Sequence, residues 1–234
     1  MLRCAERFGW AEKYPVRRMP DGKIRAAGVA MAMQGSCISN VDVGSATLKL
    51  SEDGTYNLII GAADMGTGCD TILAQMAAEC MECSVDDVAV FGADTDVSPY
   101  DSGSYASSTT YITGKAVEKA CTDLKKTICS IASDILNCPE EEVVFEKGCV
   151  RRIETEETVS LTDIAYKTQV GNVKSAEASA THSSPVSPPP FMVGMVEIEL
   201  DKLEKRLVLC LSDNVKDLTV FRKRNPYQFH FQKN

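Results

Sequence analysis

The chain has 234 residues, of which 44% are apolar and 25% are charged, and its formal net charge at pH 7 is −8. This length and composition predict a globular protein with a buried core, and the acidic balance disfavours a nucleic-acid partner because phosphate binding needs a basic surface. A transmembrane span is not expected, since the sequence contains no stretch of about 18 consecutive apolar residues.

The first part of the chain predicts short elements joined by turns. Asp53 and Gly54 stand between two alternating apolar stretches, which is a strong signal for a β-hairpin. Apolar residues recur at helical spacing after Gly68, as expected for a helix with one buried face. The predicted elements are the end of a helix at residues 1–14, a connector at 15–22, a buried strand at 24–36, hairpin strands at 45–50 and 56–60, a loop at 61–68 and a helix at 70–81.

The second part of the chain mixes helices and strands. The longest predicted helix carries Val117, Leu124 and Ile131 at helical spacing, together with Ile128 and Ile135, which predicts a buried stripe. The predicted elements are a strand at residues 88–91, a polar loop at 92–108, a helix at 110–136, hairpin strands at 143–145 and 150–153, a helix at 161–167 capped by Ser160, a low-complexity loop at 176–190 and a strand at 192–201. Because no regular βαβ rhythm emerges, we predict an α+β fold.

The end of the chain differs in composition from the rest. Residues 212–234 hold five Lys or Arg against two Asp, and three of the seven Phe of the whole chain. No amphipathic period is visible there. We therefore predict that residues 1–211 form one domain and that residues 212–234 are not part of it.

Ten cysteines are many for this length. The N-terminus is charged and lacks the apolar core of a secretory signal, so we expect free thiols in a cytoplasmic protein. Cys80 and Cys83 form a CxxC pair, but no second pair follows at zinc or iron–sulfur spacing. The pattern favours an ordinary helix end over a metal or redox site, and we assign no metal ligands.

Two loops carry residues suited to anion binding. Gly66 and Gly68 precede a predicted helix, where backbone can approach a ligand closely and free N–H groups favour an oxyanion. In residues 101–110, six hydroxyls and one tyrosine also precede a helix. Two such loops suggest a ligand with several phosphates, such as a dinucleotide. The alternative at each loop is a solvated turn with a helix cap.

The amino-acid sequences of these two loops resemble those of a known protein family. GAADMGTGCDTILAQMAAE at residues 61–79 and DDVAVFGADTDVSPYDSGSYASSTTYITGKAV at residues 86–117 are similar to the molybdopterin-binding large subunit of the xanthine dehydrogenase and aldehyde oxidase family of molybdenum hydroxylases. The similarity extends over about residues 9–207. The resemblance implies the fold of that family's cofactor-binding domain, present in part within residues 1–211.

The resemblance also implies which residues bind the cofactor. Gly66, Thr67 and Gly68 match the loop that contacts the pterin dithiolene and phosphates, and Thr67 stands where many members have Gln. The second matching loop, which binds the pyrophosphate and faces the substrate, consists of Ala106, Ser107, Ser108 and Thr109. The family's catalytic base is a glutamate in a later GxGE-type loop, which this sequence lacks, so we assign no catalytic residue.

The family's chemistry implies an oxidoreductase that hydroxylates a purine-like aromatic heterocycle or an aldehyde, with water as the oxygen source. The implied cofactor is molybdenum with molybdopterin, expected in its cytosine dinucleotide form, and iron–sulfur centres and FAD are expected on partner chains. The implied partners are the rest of the large subunit, iron–sulfur and flavin subunits or domains, and a small-molecule substrate.

We expect the chain to be a fragment that is inactive in isolation. Its first helix has no N-cap, and the similarity ends where the composition changes. A frameshift or a gene remnant would explain this change, and a lineage-specific tail is the alternative. The competing functions are a non-catalytic module that binds a pterin dinucleotide or phosphate, and a remnant without function.

Overall fold

A computed structural model describes residues 2–170 and 175–201, and the backbone of residues 206–210. The strands are β1 (Val16–Arg18), β2 (Ile24–Met33), β3 (Val43–Leu50), β4 (Tyr56–Ile60), β5 (Val88–Gly92), β6 (Val143–Glu146), β7 (Cys149–Arg152), β8 (Thr158–Ser160), β9 (Glu177–Ser183), β10 (Phe191–Asp201) and β11 (Arg206–Cys210). The α-helices are α1 (Leu2–Phe8), α2 (Trp10–Lys13), α3 (Cys69–Met81), α4 (Thr109–Leu136) and α5 (Leu161–Val170). The mixture confirms the predicted α+β class.

The described residues divide into two compact units, one formed by residues 2–34 with 189–201 and 206–210, and the other by residues within Gly35–Pro188. The first unit contains an antiparallel sheet in the order β1-β2-β10-β11. Phe8 of α1 packs against Val193 and Met195 of β10 in a small buried cluster. Because this cluster is small, residues 28–33 in the second half of β2 stay exposed.

The second unit holds the main core. Its four-stranded sheet has the order β5-β4-β3-β9, in which β4 and β5 are parallel and are connected through α3. Leu48 and Leu58 alternate with less buried residues on the strands and lie inside the core, together with Leu124 of α4. Burying a side chain of this size stabilises the fold by roughly 1.5–3 kcal/mol.

A smaller sheet completes the second unit. Strands β6, β7 and β8 are antiparallel and pack with α5 against α4. The backbone N–H of Asp163 donates to Ser160 Oγ at 3.1 Å, which confirms the predicted cap of α5. Within residues 2–170 and 175–201, no helix combines the length and the apolar character needed to cross a membrane.

Most predicted elements are confirmed within one to three residues, but the predicted loop at 176–190 is wrong in part. Residues Glu177–Ser183 form β9, an edge strand that pairs antiparallel with β3. The side chains of Ser45 and Thr181 hydrogen-bond across this pair at 2.9 Å, and those of Thr47 and Ser179 at 2.7 Å. This strand consists mostly of small and polar residues, so it lacks the alternation of large apolar residues by which strands are predicted from sequence. Its stability comes instead from pairing with β3.

The burial predicted for residues 24–36 is also wrong. Strand β2 begins at Ile24 as expected, but the side chains of Val29, Met31 and Met33 are 40%, 57% and 63% exposed. The predicted connector at 15–22 contains the short strand β1, and the predicted N-terminal helix breaks at Gly9, whose φ is 72°. The predicted change at residues 212–234 lies outside the described residues.

Candidate functional site

The first candidate loop connects β4 to α3 and folds around one carboxylate. Asp64 Oδ1 accepts the backbone N–H of Gly66 at 2.8 Å and that of Gly68 at 3.1 Å, while Oδ2 accepts the N–H of Asp70 at 3.4 Å. Gly66 and Gly68 have φ of 98° and 77°, a left-handed conformation that glycine adopts at little cost. The hydrogen bonds from Gly66 and Gly68 lower the pKa of Asp64 below its ordinary value.

This arrangement changes what the loop offers a ligand. The sequence predicts free N–H groups for an anion, but those of Gly66, Gly68 and Asp70 already donate to Asp64. The side chain of Thr67 is exposed, and the Cα positions of Gly66 and Gly68 face open space. A ligand therefore meets the outer surface of the loop and the Thr67 hydroxyl, unless it displaces the Asp64 carboxylate.

The second candidate loop leads into α4 and contains unusual backbone conformations. Ala106 and Ser107 follow one another with φ of 53° and 57°, although neither is glycine. Each such residue costs of order 1–3 kcal/mol and persists only where the surroundings fix it, often at a functional site. Ser107 is exposed, whereas Ser108 is 3% exposed and its Oγ donates to the carbonyl of Gly103 at 3.1 Å. Ser108 thus supports the loop from inside.

A chain of hydroxyls joins the two loops. Thr109 Oγ1 donates to Ser104 Oγ at 3.0 Å, and Ser104 Oγ donates to the carbonyl of Ala63 at 3.4 Å. The structure therefore brings the predicted Thr109 beside the first loop. Ser104 belongs to the hydroxyl-rich segment 101–110, but the family resemblance assigns it no role in cofactor binding. Its bridging position follows only from the approach of the two loops in the folded chain.

The segment between β5 and the second loop is fixed to the sheet. Asp101 Oδ1 accepts the N–H of Gly103 and Oδ2 accepts Thr113 Oγ1 of α4, both at 2.8 Å. A Cβ added at Gly61 would lie 2.2 Å from the carbonyl oxygen of Pro99, so only glycine permits this approach. These contacts hold the second loop next to the first.

One group of potential metal ligands lies at the same place. Asp64, Cys69 and Asp70 each bring one ligand atom to within 4.8 Å of the others. Burial, with a further contribution from the charge of Asp70, raises the pKa of the Cys69 thiol to about 11. Because metals bind the thiolate, and because Asp64 already accepts backbone N–H groups, this donor set is poor. We assign no metal to it.

Comparison with protein families gives a match over most of the chain. A family model described as the molybdopterin cofactor-binding domain matches residues 3–220. This range includes both loops and the helices that follow them. The match covers well over half of the chain and agrees with the resemblance that the two loop motifs carry.

Curated relatives give a similar picture. The chain is 39% identical over 145 residues to a probable hypoxanthine oxidase of Escherichia coli strain K12, covering 62% of this chain and 15% of that protein. It is 32% identical over 206 residues to a putative xanthine dehydrogenase molybdenum-binding subunit of the same organism, covering 83% of this chain and 27% of that protein. The chain thus spans about a quarter or less of the length of these relatives.

A solved structure supports the fold. The crystal structure of quinoline 2-oxidoreductase from Pseudomonas putida 86 superposes with a TM-score of 0.68 at 18% sequence identity. The superposition covers 88% of this chain and 28% of that one. At this identity the likeness establishes the arrangement of helices and strands and nothing about the substrate.

Proposed function

Because the chain belongs to the molybdopterin cofactor-binding domain family, we propose that it supplies part of the cofactor site of a molybdenum hydroxylase. The observation that carries this proposal is the hydroxyl chain from Thr109 through Ser104 to Ala63, which unites the two loops that match the family. Cofactor binding would then depend on both loops together.

The donor set at the loops fits a phosphate-bearing pterin. The exposed hydroxyls of Thr67 and Ser107 can donate to phosphate oxygens, and the open space at Gly66 lets a planar ring approach the backbone. Thr109 and Ser104 would orient the second loop, and Ala106 would hold its turn. When bound, the cofactor supplies the oxidation of a substrate carbon, with oxygen taken from water. The chain's own residues bind and orient the cofactor.

The proposed substrate is a purine-like aromatic heterocycle, with an aldehyde as the second class. The curated relatives named above are a probable hypoxanthine oxidase and a putative xanthine dehydrogenase subunit, which supports the purine class. The catalytic base would come from outside this sequence, so we expect the isolated chain to be inactive.

We further propose the cytosine dinucleotide form of the cofactor, with iron–sulfur centres and FAD on partner chains. The name of one relative as a molybdenum-binding subunit supports a division of the cofactors among chains. In this proposal residues 1–211 belong to the cofactor-binding domain and residues 212–234 do not. Release of cytidine monophosphate from the purified complex would test the dinucleotide form.

The main test compares two neighbouring threonines at the start of α4. Thr109→Val removes the hydroxyl that donates to Ser104, whereas Thr110→Val removes an exposed hydroxyl for which the structure gives no side-chain hydrogen bond. A hydrogen bond between two neutral hydroxyls contributes about 0.5–1.5 kcal/mol, so the first variant should retain roughly 2- to 10-fold less pterin. Molybdenum and pterin are measured after purification with the partner subunits.

The outcomes separate the competing functions. Equal pterin retention by both variants would contradict a role for the hydroxyl chain. Pterin retention without oxidation of hypoxanthine or xanthine, even with partner subunits present, would favour a non-catalytic binding module. Absence of both molybdenum and pterin from the unmodified complex would favour a remnant without function.

A further inference from the structure

Helices α3 and α4 run side by side in the same direction. A Cβ added at Gly114 of α4 would lie 2.6 Å from Met76 Sδ of α3, so these positions touch. Further along both helices, Lys125 Nζ of α4 forms an ion pair with Glu82 Oε1, just after α3, at 2.8 Å. Positions between these two contacts therefore face one another, which is where Cys80 and Cys121 lie.

The two thiols differ in access to solvent. Cys121 is 1% exposed and belongs to the main core, whereas Cys80 is half-buried at its edge. Cys80 is therefore the more accessible of the two thiols. Cys80 stands one turn after Met76 and Cys121 two turns after Gly114, so both lie on the facing sides of the two helices.

The charges around the pair favour a thiolate on Cys80. The hydrogen bond from Cys121 lowers the pKa of Cys80 to about 7, and the nearby Lys125 ammonium acts in the same direction. Burial and the carboxylates of Glu118 and Glu79 oppose this shift. The same hydrogen bond raises the pKa of Cys121, so that at neutral pH Cys121 keeps its proton.

Three other thiols of the second unit, those of Cys69, Cys83 and Cys129, lack this combination. Burial raises the pKa of Cys83 and of Cys129, and it raises that of Cys69 to about 11. Because the thiolate is the nucleophile, these thiols should react with oxidants and alkylating reagents more slowly than Cys80. Cys83, the CxxC partner of Cys80, is thus a weaker nucleophile than Cys80. Cys121, the neighbour of Cys80 on α4, is the proton donor of the pair.

We propose that Cys80 and Cys121 form a redox site, at which a peroxide converts the pair into a disulfide between α3 and α4. The Cys80 thiolate attacks hydrogen peroxide, the O–O bond breaks, and the leaving hydroxide takes a proton to become water while the sulfur is oxidised to a sulfenic acid. Cys121 sulfur then attacks this sulfur and the S–O bond breaks. The hydroxide leaves as water with the Cys121 proton. A thiol reductant reverses the change.

The disulfide would join the two helices that follow the cofactor loops. Helix α3 begins directly after Gly68, and α4 begins directly after Ser108. A covalent bond between them would limit any change in the spacing of the helices. This consequence rests on the proposed function, whereas the thiol chemistry does not, and thiol mapping therefore tests the pair even if the chain binds no pterin.

The test maps the products of peroxide treatment on the full chain. Cleavage after glutamate and lysine places Cys80, Cys83 and Cys121 on separate peptides, because Glu79 and Glu82 flank Cys80 and Lys119 and Lys125 flank Cys121. Mass spectrometry of the non-reduced peptides should show a Cys80–Cys121 link that thiol reductant removes. The link should persist in Cys83→Ser and disappear in Cys80→Ser. With iodoacetamide at pH 7, Cys80 should react roughly tenfold or more faster than Cys129.

Two results would overturn the proposal. One is a disulfide between Cys80 and Cys83, which would make the CxxC the reactive pair. The other is equal alkylation of Cys80 and Cys129 in the unmodified chain, which would show that Cys80 has no special reactivity. Neither result depends on the folding of a variant.

Discussion

At the scale of single residues, Asp64 defines the first loop. Its carboxylate occupies the position next to the N-terminus of α3 where the sequence predicts an external anion. An internal carboxylate satisfies the same N–H groups that a phosphate would. The loop is therefore ordered without a ligand, and the exposed Thr67 is left for contact with the cofactor.

The hydrogen bonds to Asp64 predict a pH dependence of the loop. The pKa of Asp64 is lowered from 3.8 by the N–H groups of Gly66 and Gly68, so its contribution to stability is full above that value. This contribution should be lost as the pH falls through the lower pKa of the folded state. NMR titration of the Asp64 carboxyl and of the two glycine amides measures it.

A matched pair of variants controls this titration. Asp64→Asn should remove the acid transition of the Gly66 and Gly68 amides, whereas Asp70→Asn should leave it in place. If the Asp64 carboxyl titrates at or above 3.8, the hydrogen bonds to the loop are absent in solution.

At the scale of elements, α4 shows how far periodicity determines burial. The predicted stripe of apolar residues is buried from Val117 to Ile131, but Ile135 is 37% exposed, while the neighbouring Leu136 still packs against the core. The sequence repeats the same spacing at both places. Only the neighbouring elements decide where the stripe stops being covered.

The helix therefore predicts unequal effects of equal substitutions. Ile128→Ala removes a fully buried side chain and should lower the free energy of unfolding by about 2–5 kcal/mol. Ile135→Ala, the matched control one heptad later, should cost clearly less, because its side chain is already partly in water. Chemical denaturation of both variants measures the difference, and equal losses would place Ile135 in the core.

At the scale of the whole molecule, the first unit exposes an apolar ribbon formed by β2 and β10. Met31, Met33 and Phe191 are exposed on one face of this pair, and Met192 is exposed on the other face. Met33 and Phe191 are direct partners in the antiparallel register. An apolar surface on paired strands promotes association.

The ribbon predicts self-association that charge can suppress. Met33→Lys combined with Phe191→Glu places opposite charges on partner positions, so the pairing is kept while the apolar surface is lost. We expect a larger monomer fraction by sedimentation velocity. Tyr166→Lys, which replaces an exposed aromatic residue on α5, should have little effect. A wild-type chain that is already monomeric would contradict the prediction.

The sequence by itself determined the α+β class, the main hairpin, the long helix and, through two motifs, the family. These features depend on local signals, namely the turn residues, the spacing of apolar residues and the amino-acid sequences of the two loops. Strand β9 and the exposure of β2 were decided by the tertiary structure, because pairing partners and cover come from distant residues. The same holds for Asp64, the Ser104 bridge and the facing positions of Cys80 and Cys121, where proximity arises only from folding.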